Sequence, residues 1–142
     1  MAGTADVAAL GAALAKLGFA PGQVVQELGW DEDADDAVRF GVEDLTGTDL
    51  EDESYADGAD AALIWYRDGD DDLVDTLVDA LTDLVGGGFL VLATPRAGRT
   101  GHVEASDVED AALSAGLHPA GAANVSATWT TTRLVAPRSG RR

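Results

Sequence analysis

Apolar residues near the start of the chain fall at Val7, Leu10, Leu14 and Leu17, spacings of three and four that make one stripe of a helix. Gly18 stops that helix and Pro21-Gly22 makes a turn. Gln23–Leu28 is short and valine-rich and predicts a strand. Asp33 is placed to cap a second helix with Ala34, Val38, Val42 and Leu45 on its inner face, ended by Gly47. Thr48–Leu50 predicts a brief extended piece, and residues 51–58 a polar loop. Asp60–Arg67 is apolar on both faces, the pattern of a central parallel strand covered on each side. Asp68-Gly69-Asp70-Asp71-Asp72 then feeds a helix striped by Leu73, Leu77, Leu81 and Leu84, with Val74, Val78 and Val85 beside them; Gly86-Gly87-Gly88 is its expected terminator. Phe89–Ala93 predicts a second buried strand ended by Pro95. Ser106 and Glu109 have capping-box spacing for a helix that runs to Gly116. Asn124–Trp129 and Arg133–Val135 alternate as a hairpin around Thr130–Thr132.

Alternating helices and strands of this kind predict an α/β fold. It is a three-layer, Rossmann-like, mostly parallel sheet with helices on both faces, right-handed crossovers and a C-terminal antiparallel hairpin. No internal repeat or linker interrupts the 142 residues, so one domain is expected, with about 1–5 and 139–142 disordered.

Composition sharpens this. The 46% hydrophobic content is enough for a core, and cysteine is absent, which excludes disulfides, thiolate metal sites and cysteine nucleophiles. The apolar runs are far shorter than a membrane span and no secretory leader opens the chain, so a soluble cytoplasmic protein is expected. The net charge of −17 argues against a nucleic-acid partner. It is concentrated. Residues 21–85 hold 21 acids against only Arg39 and Arg67, whereas residues 86–142 hold 4 acids and 6 arginines. Solvated helix faces in an arginine-rich, lysine-poor composition, adaptation to salt, and a docking face for a basic protein all fit that pattern. The candidate docking face comprises Asp31, Asp33, Asp70, Asp71 and Asp72.

Pro21-Gly22 leading into Val24-Val25-Gln26-Glu27-Leu28-Gly29, together with the closing hairpin, resembles the class I methyltransferase fold. More closely, four segments make the chain similar to an uncharacterised, mainly actinobacterial family called domain of unknown function 3052. These are residues 22–31, Thr94-Pro95-Arg96-Ala97-Gly98-Arg99, His102-Val103-Glu104 and Thr132-Arg133-Leu134-Val135-Ala136-Pro137. That family implies no activity. The methyltransferase resemblance implies a glycine-rich loop after the first strand, and here it breaks. Gly29 fits, but Trp30, Asp31 and Asp33 fill the rest with an indole and with carboxylates that would repel the cofactor's own carboxylate. No cofactor is therefore expected, S-adenosylmethionine included.

Other constellations are weaker. Asp68, Asp70 and Asp72 have the opening spacing of a calcium loop, but Leu73 stands where glycine is needed and Asp79 where a bidentate glutamate is needed; Asp31, Asp33 and Asp35 fail likewise. His102 and His118 follow no metal spacing, so no metal site is expected. No nucleophile elbow or Walker loop occurs. The loop from Arg96 to His102 follows a buried strand at the sheet edge where open α/β folds bind ligands, and it gathers two arginines, a histidine and two glycines. Arg96, Arg99 and His102 are thus candidate ligands for a small anion, with Trp30 and Trp65 bordering the same crevice. The reading is of a non-catalytic binding or regulatory domain on a degenerate methyltransferase-like scaffold. The alternative is a small-molecule or anion binder, or a methyltransferase-like enzyme, working at that crevice.

Overall fold

The computed structural model describes the backbone of residues 2–137 and the side chains of residues 8–137. The elements run α1 (Ala2–Lys16), β1 (Val25–Leu28), α2 (Asp36–Thr46), β2 (Ala59–Trp65), α3 (Leu73–Leu81), β3 (Leu84–Pro95), α4 (Ala105–Ser114), β4 (His118–Asn124) and β5 (Trp129–Val135). Of the stretches expected to be disordered, residues 2–5 open α1, while 1 and 139–142 lie outside the described residues.

The strands form one open sheet in the order β1-β2-β3-β5-β4. The β1–β2 and β2–β3 pairs are parallel; β5 runs against both its neighbours, β3 and β4. A separate core covers each face. On one face Leu14 of α1, Leu17 just after it, and Val38 and Val42 of α2 pack on Val25, Ala61, Leu63, Trp65 and Val91. On the other, Leu73, Leu77, Val108 and Ala112 from α3 and α4 pack on Ala62, Ile64, Leu90 and Leu92. The strands alternate between the two cores residue by residue, which is why β2 is apolar throughout. This is the three-layer α/β architecture predicted from the hydrophobic pattern.

The connections place a switch point beside β1. The helix after β1 lies on one face, and the helices after β2 and β3 lie on the other. Among the described residues β1 meets on its outer edge an isolated bridge, Gln26 to Glu51, one residue past the extended piece expected at 48–50. Open α/β sheets bind ligands at such reversals, outside the carboxyl ends of the strands. Among the described residues no helix is long and apolar enough to cross a membrane.

Four local expectations need correction. Asp35, not Asp33, caps α2: its carboxylate accepts from the Ala37 N–H at 2.9 Å and the Val38 N–H at 3.4 Å. The glycines 86–88 do not terminate α3, which ends at Leu81; they lie inside β3. There the ladder partners of β2 jump from Leu84 to Phe89, so the glycines form a bulge. A Cβ on Gly88 would lie 2.7 Å from the Asp60 carbonyl oxygen, so the backbone approach excludes a side chain. Ser106 is already inside α4, whose N-cap is Glu104 with no side-chain cap bond. The threonines 130–132 are strand, and the hairpin turns at 125–128.

These corrections have a direct measure. Asp35→Ala is expected to cost about 1 kcal/mol in urea unfolding. Ser106→Ala is expected to cost less than about 0.5 kcal/mol, as an exposed residue with no cap to lose.

Candidate functional site

The site is built where β1 and β2 end. Gly29 follows β1 at φ +74, and a Cβ there would lie 2.2 Å from the Trp65 carbonyl oxygen, so only glycine lets the two strand exits lie this close. Both backbone groups of Gly29 are engaged. Its N–H donates to the Glu53 carboxylate at 2.9 Å, and its carbonyl accepts from Nη1 of Arg67 at 2.8 Å.

Arg67 thereby spans the crevice from the end of β2 to the end of β1. Nη1 also donates to the Trp65 carbonyl at 3.2 Å, and Nε and Nη2 fork onto the two oxygens of Asp33, the Nε bond at 2.9 Å. Asp70 stands 3.6 Å from Nη1, and the guanidinium carbon lies 5.3 Å over the Trp129 ring. The Arg67 side chain is only 16% exposed. The bonds from Arg67 hold the Asp33 carboxyl below its ordinary pKa despite some desolvation, and Asp33 raises Arg67 in return.

Beneath this lies a buried polar set. Glu27 of β1 is 7% exposed, and its carboxylate takes a fork from Arg39 of α2, Nε at 2.7 Å and Nη2 at 2.9 Å. It also accepts the indole N–H of Trp65 at 2.8 Å. The fork onto Glu27 pushes the Arg39 guanidinium further above its ordinary pKa. Trp65 meets Trp129 edge to face at 4.9 Å, and the Trp129 indole donates to the Asp33 carbonyl at 3.0 Å.

The structure separates the candidate residues named from sequence. Arg99 lines a cleft of about 590 Å³ on one side of Arg67, facing Asp33 and Asp68. Trp30, 51% exposed with Arg39 5.8 Å from its ring, lines a cleft of about 470 Å³ on the other side, together with Trp65 and Glu53. Trp65 is otherwise a core residue, 1% exposed. Arg96 turns away, donating to the Ser126 carbonyl at 3.1 Å and lining a third cleft beside Asp35. His102 is pinned at the loop root, its Nδ1 2.9 Å from the Pro95 carbonyl oxygen and its Nε2 3.1 Å from Glu104. The expected convergence of Arg96, Arg99 and His102 on one anion is not what the bonds show: Arg96 and His102 are held by Ser126, Pro95 and Glu104, and neither lines the cleft that Arg99 lines. The acidic candidates are partly spent inside the fold. Asp33 and Asp70 face Arg67, Asp72 caps α3, and Asp31 accepts from the Glu32 N–H; Asp71 is exposed. Sequence reasoning missed Arg67 and Glu27. The available signals were that Arg67 is one of only two arginines among residues 21–85, and that Glu27 is the charged residue of an otherwise uncharged strand.

Residues 14–138 match the family described as "Protein of unknown function (DUF3052)". The chain belongs to this family. Uncharacterised proteins of Mycobacterium tuberculosis and Mycobacterium bovis are 44% identical to it over 124 residues, 87% of this chain and 78% of each relative. Among solved structures it is similar in fold to mitomycin 7-O-methyltransferase, with a TM-score of 0.62 at 13% identity over 94% of this chain; the chain spans about half, 53%, of that protein. It is also similar to the CcbJ methyltransferase of Streptomyces caelestis, with a TM-score of 0.57 at 13% identity, covering 91% of this chain and 89% of that one. A SAM-dependent methyltransferase of Aquifex aeolicus gives a TM-score of 0.56 at 10% identity, covering 88% of each chain. At such identities the likeness establishes a methyltransferase-like fold and nothing further.

Whether this DUF3052 chain suits S-adenosylmethionine is a question for the Gly29 loop. Its N–H and carbonyl are taken by Glu53 and Arg67, and Arg67, paired with Asp33, stands between the two clefts at the strand ends. Those residues do not fit the cofactor, because its approach to the loop backbone would displace bonds already made. Among the described residues no group of three or more His, Asp or Glu is placed to hold a metal ion.

Two measurements test this geometry. Arg67→Ala is expected to lose about 2–3 kcal/mol of stability, since two carbonyls lose their donor; the ion pair with half-exposed Asp33 contributes little of that. The double variant Arg96→Ala/Arg99→Ala is expected to leave Tm nearly unchanged. Because the folded pKa of Asp33 is depressed, its contribution is present above the ordinary value of 3.8 and is lost as pH falls through the lower folded value. Asp33→Asn is thus expected to flatten the acid limb of a stability-versus-pH curve below that value.

Proposed function

We propose that the protein is a non-catalytic binding domain on a methyltransferase-like scaffold, its cofactor crevice closed by its own side chains. The observation that carries this reading is Arg67 bonded to the Gly29 carbonyl across the strand ends and forked onto Asp33. A methyltransferase needs that backbone and that space for its cofactor. With the crevice filled, exposed carboxylates beside it, Asp31 and Asp71 among them, form the face for a protein with a basic surface.

A second reading, a small-molecule binder, is favoured by the two clefts beside Arg67, of about 590 and 470 Å³, which are within the size range of ligand pockets.

Titration calorimetry with S-adenosylmethionine tests the first reading. No saturable heat is expected into the high micromolar range, and micromolar binding would overturn it. For the partner face, a basic protein retained on immobilised wild type at low salt is expected to be lost on Asp31→Lys/Asp71→Lys. Equal retention by both forms would exclude that face.

A further inference from the structure

Arg133 of β5 lies in a strongly acidic chain, yet no carboxylate of a described residue pairs with it. Its guanidinium carbon lies 4.9 Å over the Phe89 ring, and its Nε is shielded from solvent with no hydrogen-bond partner among the described residues. A buried donor without an acceptor costs about 1–3 kcal/mol. Native proteins satisfy nearly all such groups, so an orphan of this kind calls for an acceptor.

The surroundings specify one. Arg133 lines a cleft of about 760 Å³ together with Gly87, Gly88, His118 and Val135. It lies at the opposite end of the sheet from the Arg67 crevice, where β3 begins and β5 ends. None of its lining residues is acidic. The other clefts described each carry carboxylates: Asp33 and Asp68, Glu53 and Asp79, Asp35, and Asp107. His118 pairs with Val135 across the β4–β5 ladder, and Arg133 is two residues before Val135 on the same strand face. The Arg133 guanidinium lies over Phe89 of β3 and His118 stands on β4, so the two border the same cleft from neighbouring strands on either side of β5. The Gly87 backbone at φ +86 adds peptide groups free of any side chain, and a Cβ there would meet nothing within 4 Å.

We propose that the cleft formed by Arg133, His118 and the Gly87–Gly88 bulge is a binding site for a phosphate group. The arginine fork, an imidazole and bulge amides together suit an acceptor with several oxygens. The cleft is large enough for a small phosphorylated molecule rather than the bare ion alone. The site is independent of the closed crevice, so either assignment can fail without the other.

The test is an NMR titration of the full chain with inorganic phosphate, acetate and chloride at matched ionic strength. Phosphate is expected to give saturable shifts of the Arg133 Nε–H and of the Gly87 and Gly88 amides, larger than those from the other two anions. Arg133→Gln is expected to weaken phosphate binding by about tenfold or more, the loss of one charge-assisted hydrogen bond. His118→Ala is expected to weaken it severalfold and keeps the test decisive should Arg133→Gln not fold; Arg99→Ala is expected to leave it unchanged. Equal shifts from all three anions, or wild-type affinity in His118→Ala and Arg133→Gln, would overturn the proposal.

Discussion

The carboxylate of Glu27 sits inside the core, where an unpaired charge would cost several kcal/mol. Its pairing organises the ligand end of the sheet. Arg39 reaches down from α2 to fork onto it, and the Trp65 indole reaches across from β2. Trp65 so held packs against Trp129, the Trp129 indole holds the loop at Asp33, and Asp33 with Gly29 holds Arg67. Arg67 returns to the Trp65 carbonyl and closes the circuit. Each member is positioned by the one before, so the bonds reinforce one another as a network rather than as separate pairs.

The sheet and its two cores were legible because burial on both faces leaves an apolar run and burial on one face leaves a stripe. Asp60–Arg67 and the Leu73–Leu77 stripe show this directly. What was not legible depends on where backbone meets backbone. Three glycines after a helical pattern look like a stop, yet here they make a bulge whose Gly88 passes against the Asp60 carbonyl. Ser106 and Glu109 have the spacing of a capping box, but Glu104 begins the helix two residues earlier. The candidate site was legible in position but not in membership. Sequence order brought Arg96, Arg99 and His102 together, whereas bonds to Ser126, Pro95 and Glu104 hold Arg96 and His102 out of the cleft that Arg99 lines. Arg67 was hidden because its partners, Gly29, Asp33 and Trp129, are distant in sequence.

The charge asymmetry is partly structural. Arg39 and Arg67 are the only cations among residues 21–85, and both are drawn inward to carboxylates, so the exposed surface of that segment is more one-signed than its sequence alone implies. The arginines after residue 86 that the structure describes are left without carboxylate partners, at loop and strand ends. Arg96 and Arg99 nonetheless line clefts beside Asp33, Asp35 and Asp68, so the regions of opposite charge meet at that end of the sheet.

Closure of the crevice is a matter of degree, because a network can open. Admitting a ligand between β1 and β2 would require breaking the Asp33 fork, the Gly29 bond and the stacking of Arg67 on Trp129. Solvent screening discounts the fork, which ends on a half-exposed carboxylate. The bond to the Gly29 carbonyl and the cation–π contact are worth roughly 1–3 kcal/mol each. An open state at a cost of roughly 2–6 kcal/mol would be populated at no more than about three parts in a hundred, and any ligand's apparent affinity would fall by the same factor. A catalytic domain that must bind a cofactor on every turnover gains nothing from such a penalty. Under the proposed non-catalytic reading, a scaffold that presents its outer surface gains rigidity from it.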